Sequence, residues 1–202
     1  LYSSPGLSDE TSASMDEASI GYNAYSVLKT GLDEFSEFPL ISQRGYDDYR
    51  RSTYLFLVTP SVAAFDLNAF AVRLPSAILS VLTVFATYHI VLSLFAKRLP
   101  HTNIIALLAS FLLAISPWHI YISRLGHESN ACLSFFIFGV LSFLLGERKK
   151  NWIFIFLSMV SFTLSMISYY SGQAFIPLFI IGLVFIFRRS LIWLFCYLIQ
   201  GF

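Results

Sequence analysis

From about residue 54 onward the chain is a succession of apolar stretches separated by breaks of only a few residues. A bilayer core of about 30 Å takes about 20 apolar residues in helical form, with roughly 17–25 as the working range. Five stretches meet or approach that length: Ala71–Phe95, Asn103–Tyr121, Ser129–Gly146, Asn151–Tyr169 and Ala174–Phe187. A sixth, Leu191–Phe202, runs to the last residue. Pro177, near the start of the short fifth stretch, predicts a break or an entry turn there. Tyr54–Phe70 is interrupted by Pro60, Asp66 and Asn68 and is too short to span, which is the pattern of an interfacial or re-entrant segment. The expected fold class is all-α. It is a polytopic transmembrane helical bundle over residues 71–202, with a juxtamembrane segment over 54–70. Ahead of both, residues 1–53 form a polar extracytoplasmic loop with an amphipathic helix over about 14–30.

Composition narrows the function classes. Hydrophobic residues make up 56% of the chain and charged ones 12%, against roughly 45–50% and about 25% in an ordinary soluble domain. Nine of the 12 acidic residues precede Tyr49, so the first quarter is polar and the rest is not. A net charge of +1 without a basic face argues against a nucleic-acid partner. Cys132 and Cys196 lie inside apolar runs and read as small hydrophobes. His89 falls within a span and His101 in a loop, neither with a partner at metal-site spacing, so no protein-bound metal motif is predicted. With Leu1 at its start and an apolar run up to Phe202, the sequence is expected to be a piece of a longer chain.

Lys and Arg in short loops stay on the cytoplasmic side. Lys97 and Arg98 follow the first span, Arg148, Lys149 and Lys150 the third, and Arg188 and Arg189 the fifth; Glu147 is the single acidic residue among them. With those loops cytoplasmic, the opposite side receives the acidic N-terminal region, the loop around Arg124, His127 and Glu128, and the loop Tyr170–Gln173. Three segments far apart in sequence then face one extracytoplasmic compartment.

Ser14-Met15-Asp16-Glu17 has the Ser-x-x-Glu spacing of a capping box and predicts a helix start. Ile20, Ala24, Val27 and Leu28 then form one apolar stripe, and Gly31 is placed to end the helix in a left-handed cap. Asp16 in the first turn has two readings. It complements the helix dipole, or it is a general base at the membrane surface that takes a proton from an acceptor hydroxyl.

The other polar residues divide similarly. Arg124 and Glu128, four apart, pair on one face if the segment is helical; alternatively Arg124 supplies a cation for a donor phosphate. Arg73, which opens the first span, reads as an interface anchor. Tyr170 and Gln173, with Tyr169, belong to an aromatic belt or line a sugar site.

The strings MDEASIGYNAYSVLKTG, TPSVAAFDLNAFAVRLPSAI and SPWHIYISRLGHES, in that order and on one side, resemble the GT-C glycosyltransferases of the dolichyl-phosphate-mannose protein mannosyltransferase type, over about Met15 to Arg189. The resemblance implies transfer of a sugar from a polyprenyl-phosphate donor to a hydroxyl acceptor at the outer membrane face, with inversion. It places the family's proposed base on Asp16 and its acidic partner on Glu17. Where the family has an acidic residue followed by Lys-Pro-Pro, this chain has Asp48-Tyr49-Arg50-Arg51-Ser52. Arg50 then takes the place of the Lys as a donor to the lipid phosphate, with a fork that Lys lacks, and Asp48, His127, Glu128, Tyr170 and Gln173 join the substrate site. A divalent cation at Asp16 and the donor phosphate is left open, and further spans are implied before and after the sequence.

Two function classes follow. One is a multi-pass membrane glycosyltransferase with an extracytoplasmic site, in the plasma membrane if the source is prokaryotic. The other is a non-catalytic membrane protein, a lipid-linked-sugar transporter or binding subunit. A transporter places ionisable groups near mid-bilayer, and these spans carry little besides His89.

Overall fold

The computed structural model describes residues 15–45, 48–95 and 100–187. Ser14, the Lys97–Arg98 and Arg188–Arg189 pairs, Cys196 and the expected sixth span lie outside the described residues. So does the side chain of Asp48. Among the described residues the fold is all-α apart from one small hairpin: α1 (Met15–Thr30), β1 (Ser42–Gly45), β2 (Asp48–Arg51), α2 (Thr53–Phe65), α3 (Ala69–Phe95), α4 (Thr102–Ala114), α5 (Pro117–Arg124), α6 (Glu128–Lys149), α7 (Trp152–Ser168) and α8 (Tyr170–Phe187). Among these, α3, α6 and α8 are long and apolar enough to cross a membrane, and a fourth crossing results if α4 and α5 count as one interrupted span.

Two compact units divide the chain, one formed by Leu1–Val81 and Ser116–Ala131, the other by Leu82–Ile115 and Cys132–Phe202. In the first unit α1 ends where expected: Gly31 takes φ 78° and its N–H donates to Val27 O at 2.9 Å, a left-handed position that glycine adopts without steric cost. The buried face differs in part from the expected stripe. Glu17, Ile20, Asn23 and Ala24 are buried, while Leu28 is exposed. Asn23 turns inward because its amide clips the next turn, with Oδ1 accepting from Glu34 N–H at 2.9 Å. α1 packs on α2, which buries Tyr54, Leu55, Val58 and Val62 and continues through Pro60. Tyr54 Oη donates to Val72 O at 2.8 Å, tying α2 to the start of α3. That start is set by Asn68, whose Oδ1 accepts from Ala71 N–H at 2.8 Å as an N-cap does. Farther along α3, Asn130 of α6 donates to Ser76 O, Ser76 Oγ and Ser80 Oγ at 2.9, 2.6 and 3.0 Å.

In the second unit Phe143, Leu144 and Ile155 form a buried apolar cluster, and α6 and α7 approach each other over small and hydroxyl residues. α7 buries Ser158, Ser161, Ser165 and Ser168, a 3–4–3 spacing on one helix face. Ser158 Oγ donates to Gly139 O at 2.8 Å and Ser165 Oγ to Cys132 O at 2.6 Å. A Cβ at Gly139 would lie 2.7 Å from Phe162 Cδ1. Close approach over small residues with hydroxyl cross-links is how helices associate where lipid removes the hydrophobic drive between them.

Three expectations need correction. Asn103–Tyr121 is not one helix, because Ser116 is extended (φ −62°, ψ 123°) and Pro117 opens α5; Pro lacks the N–H the helix would need and disfavours helical geometry in the residue before it. Tyr170–Gln173 is not a loop but the first turn of α8, since the chain is interrupted only at Tyr169 (φ −152°, ψ 145°). Pro177 causes neither a break nor an entry turn and sits inside α8.

Candidate active site

Within the first unit, one end of α1 gathers charged groups from four other segments. Asp16 and Glu17 are adjacent in the first turn of α1, about 100° apart around the helix, and their surroundings differ accordingly. Glu17 is buried, its side chain 3% exposed. Arg73 of α3 grips it with a fork, Nε to Oε1 at 2.8 Å and Nη2 to Oε2 at 2.8 Å, the bidentate geometry that makes such pairs strong. Gly126 N–H also donates to Glu17 Oε1 at 2.9 Å. Only glycine fits there, since a Cβ would meet Val72 Cγ1 at 2.9 Å and Val72 O at 3.2 Å. Arg73, expected as an interface anchor, is thus the clamp that joins α1 to α3, and Glu17 ties in the α5–α6 turn as well.

Asp16 is half-exposed, its side chain at 40%. Its Oδ1 accepts from Arg50 Nη2 of β2 at 2.5 Å, and its Oδ2 lies 4.0 Å from His127 Nε2, an electrostatic contact too long for a hydrogen bond. His127 caps α6: its Nδ1 accepts from Ser129 N–H at 3.2 Å. The Nε2 edge of the ring is the one that faces Asp16. Glu128, buried in the first turn of α6, places Oε2 3.4 Å from His127 Nδ1; its Oε1 has no hydrogen-bond partner among the described residues.

The hairpin that carries Arg50 had no signal in the periodicity. Its strands are four residues each, polar on both sides, in antiparallel register Ser42↔Arg51, Gln43↔Arg50, Arg44↔Tyr49 and Gly45↔Asp48. Asp16, Glu17, Arg50, His127 and Glu128 are therefore brought together, along with Arg73. Arg124 is placed apart from the expected pairing. It closes α5, extended Leu125 (φ −91°, ψ 138°) separates it from α6, and it is exposed with no ion pair to Glu128. Tyr170 and Gln173 are exposed on the first turn of α8, in the second unit. No three His, Cys, Asp or Glu side chains gather as a metal site among the described residues.

Taken together, the geometry supplies a half-exposed carboxylate steered by a guanidinium on one oxygen, an imidazole edge near the other, and a second carboxylate held out of water by an ionic clamp. Such a group can accept a proton from a bound hydroxyl and has a cation beside it for an anionic leaving group. In comparison with known proteins, a family model described as dolichyl-phosphate-mannose-protein mannosyltransferase matches residues 53–200. No curated protein and no solved structure matches the chain. The matched region holds Arg73, Arg124, His127, Glu128, Tyr170 and Gln173; Arg50 falls just before its start, and Asp16 and Glu17 of α1 lie well before it. With well over half of its length matched, this integral membrane chain belongs to the dolichyl-phosphate-mannose-protein mannosyltransferase family of glycosyltransferases.

Proposed function

We propose that the chain transfers a sugar, mannose by the family's description, from a polyprenyl-phosphate donor to a hydroxyl acceptor at the extracytoplasmic face, with inversion at the anomeric carbon. The observation that carries this is Asp16, a half-exposed carboxylate held on one oxygen by Arg50 and flanked on the other by His127. Asp16 takes the acceptor's hydroxyl proton as its oxygen bonds the anomeric carbon. The bond from that carbon to the phosphate oxygen breaks on the opposite face, and the lipid phosphate leaves with the electron pair. Arg50 orients the base and, in this reading, stabilises negative charge on the phosphate. Arg124 is the second cation assigned to the phosphate, and Asp48 is assigned to the substrate.

The test of the donor reading is kinetic. In the full-length protein, Arg50→Gln and Arg124→Gln are each expected to lower kcat/KM for polyprenyl-phosphate-mannose by roughly ten- to a hundredfold, the range for a hydrogen bond to a charged group. Unchanged kinetics in both variants would remove phosphate recognition from these positions.

The sidedness rests on the charge pattern of the loops, and it has its own measurement. In a Cys132→Ala, Cys196→Ala background, single cysteines at Thr30, Arg124 and Lys150, all exposed, are treated with an impermeant thiol reagent in sealed cells. Thr30→Cys and Arg124→Cys should label from outside, and Lys150→Cys only after permeabilisation. Equal labelling of all three would overturn the alternation.

A further inference from the structure

The hairpin sets three side chains on one face. Gln43 is directly opposite Arg50, and Ser52 N–H donates to Ile41 O at 3.1 Å, which extends the same alternation by one pair. Opposed residues, and residues two apart, project to the same side of a two-stranded ladder, so Gln43, Arg50 and Ser52 share a face. It is the face on Asp16, because Arg50 Nη2 reaches Asp16 Oδ1.

Gln43 and Ser52 are fully buried. Among the described residues, Gln43 Oε1, Gln43 Nε2, Ser52 Oγ and Arg50 Nη1 have no hydrogen-bond partner. Ser52 precedes α2, yet its hydroxyl makes no cap bond to that helix. Folded proteins pair nearly all such atoms, so four on one short face leave a cluster of donors and acceptors that the described residues do not satisfy.

The chemistry of the four atoms says what that is. Arg50 Nη1 and Ser52 Oγ offer N–H and O–H donors suited to phosphate oxygens. Gln43 Oε1 is an acceptor and needs a donor, which an ionised phosphate does not have; Gln43 Nε2 needs an acceptor. A sugar hydroxyl is both. The full set is matched by a phosphosugar and left partly unmatched by phosphate alone.

We infer that Gln43 is a sugar-reading residue of the donor site, its amide bonding a ring hydroxyl of the polyprenyl-phosphate-linked sugar while Arg50 and Ser52 hold the phosphate. This rests on the donor proposed above and adds the residue that distinguishes a glycosylated lipid phosphate from a bare one.

Binding to the full-length protein tests it with two probes, polyprenyl-phosphate-mannose and polyprenyl phosphate. The native protein should prefer the first. Gln43→Met, close in volume but without hydrogen-bonding atoms, should weaken polyprenyl-phosphate-mannose about tenfold, the size of two lost neutral hydrogen bonds, and leave polyprenyl phosphate within about twofold, since no phosphate bond is removed. Among donors each lacking one ring hydroxyl, one should bind the native protein and Gln43→Met equally. A variant that keeps the native preference for the glycosylated lipid sinks the inference and leaves the donor reading standing. Failure of the native protein to bind either probe sinks both. If Gln43→Met loses polyprenyl phosphate as well, Gln43→Asn is read instead: it keeps the amide but withdraws it by one methylene, and the same loss or retention of preference decides.

Discussion

Replacing Asp16 by Asn is expected to lower sugar transfer by about 10²–10⁴-fold, the usual cost of losing a general base, while the protein stays folded. Asn matches Asp in shape, and its carbonyl oxygen still accepts from Arg50. What goes is the proton acceptor on the half-exposed side facing His127. Stability should change little. The Asp16–Arg50 pair has one partner 40% exposed, and surface pairs contribute about 0–1 kcal/mol after solvent screening. The competing account, a carboxylate that only complements the α1 dipole, predicts about 0.3–1 kcal/mol of stability and nearly intact transfer. The two differ by orders of magnitude in rate. The assay uses the full-length protein in membranes, labelled polyprenyl-phosphate-mannose and a hydroxyl acceptor, with insertion measured in parallel. A well-inserted Asp16→Asn protein with more than about a tenth of normal kcat would sink the base assignment, given the expected loss.

The parts of this arrangement that were legible in the sequence are those with a periodic or chemical signal. Apolar length marked α3, α6 and α8, the Ile20–Ala24 spacing with Gly31 marked α1, and the cluster Arg124-Leu125-Gly126-His127-Glu128 marked a polar turn between spans. The hairpin was not legible, because Ser-Gln-Arg-Gly and Asp-Tyr-Arg-Arg show no alternation of apolar and polar residues. A signal for the α4–α5 interruption was present in Ser116-Pro117, but apolar length outweighed it. Arg73 looked like an anchor because sequence spacing cannot show that a residue 56 positions away supplies its carboxylate. The same limit hid Gln43: nothing in its neighbours says that it is buried, and only the strand register sets it opposite Arg50.

The resemblance makes Glu17 the acidic partner of Asp16, while the capping box gives it a role in which Glu17→Gln has only a modest effect. The clamp predicts a large one. Gln can keep its carbonyl oxygen at the Oε1 position, accepting from Arg73 Nε and Gly126 N–H, but then turns an NH₂ toward Arg73 Nη2, itself a donor, and leaves the guanidinium without its counter-charge. Breaking a buried pair by removing one partner costs about 3–5 kcal/mol. Arg73 is 28% exposed and can regain some water, so the lower end, on the order of 3 kcal/mol, is expected. Thermal unfolding of the purified full-length protein should show it as a lowered midpoint, with transfer falling because α1 no longer presents Asp16 to Arg50 and His127. The double variant Glu17→Gln with Arg73→Gln separates clamp from catalyst. If the two side chains act on each other, the double loss of stability is smaller than the sum of the single losses, a difference of about 0.5–3 kcal/mol. Additive losses would mean that Glu17 stabilises α1 through something other than Arg73. Full stability with lost transfer in Glu17→Gln alone would instead return Glu17 to the reacting groups, beside Asp16.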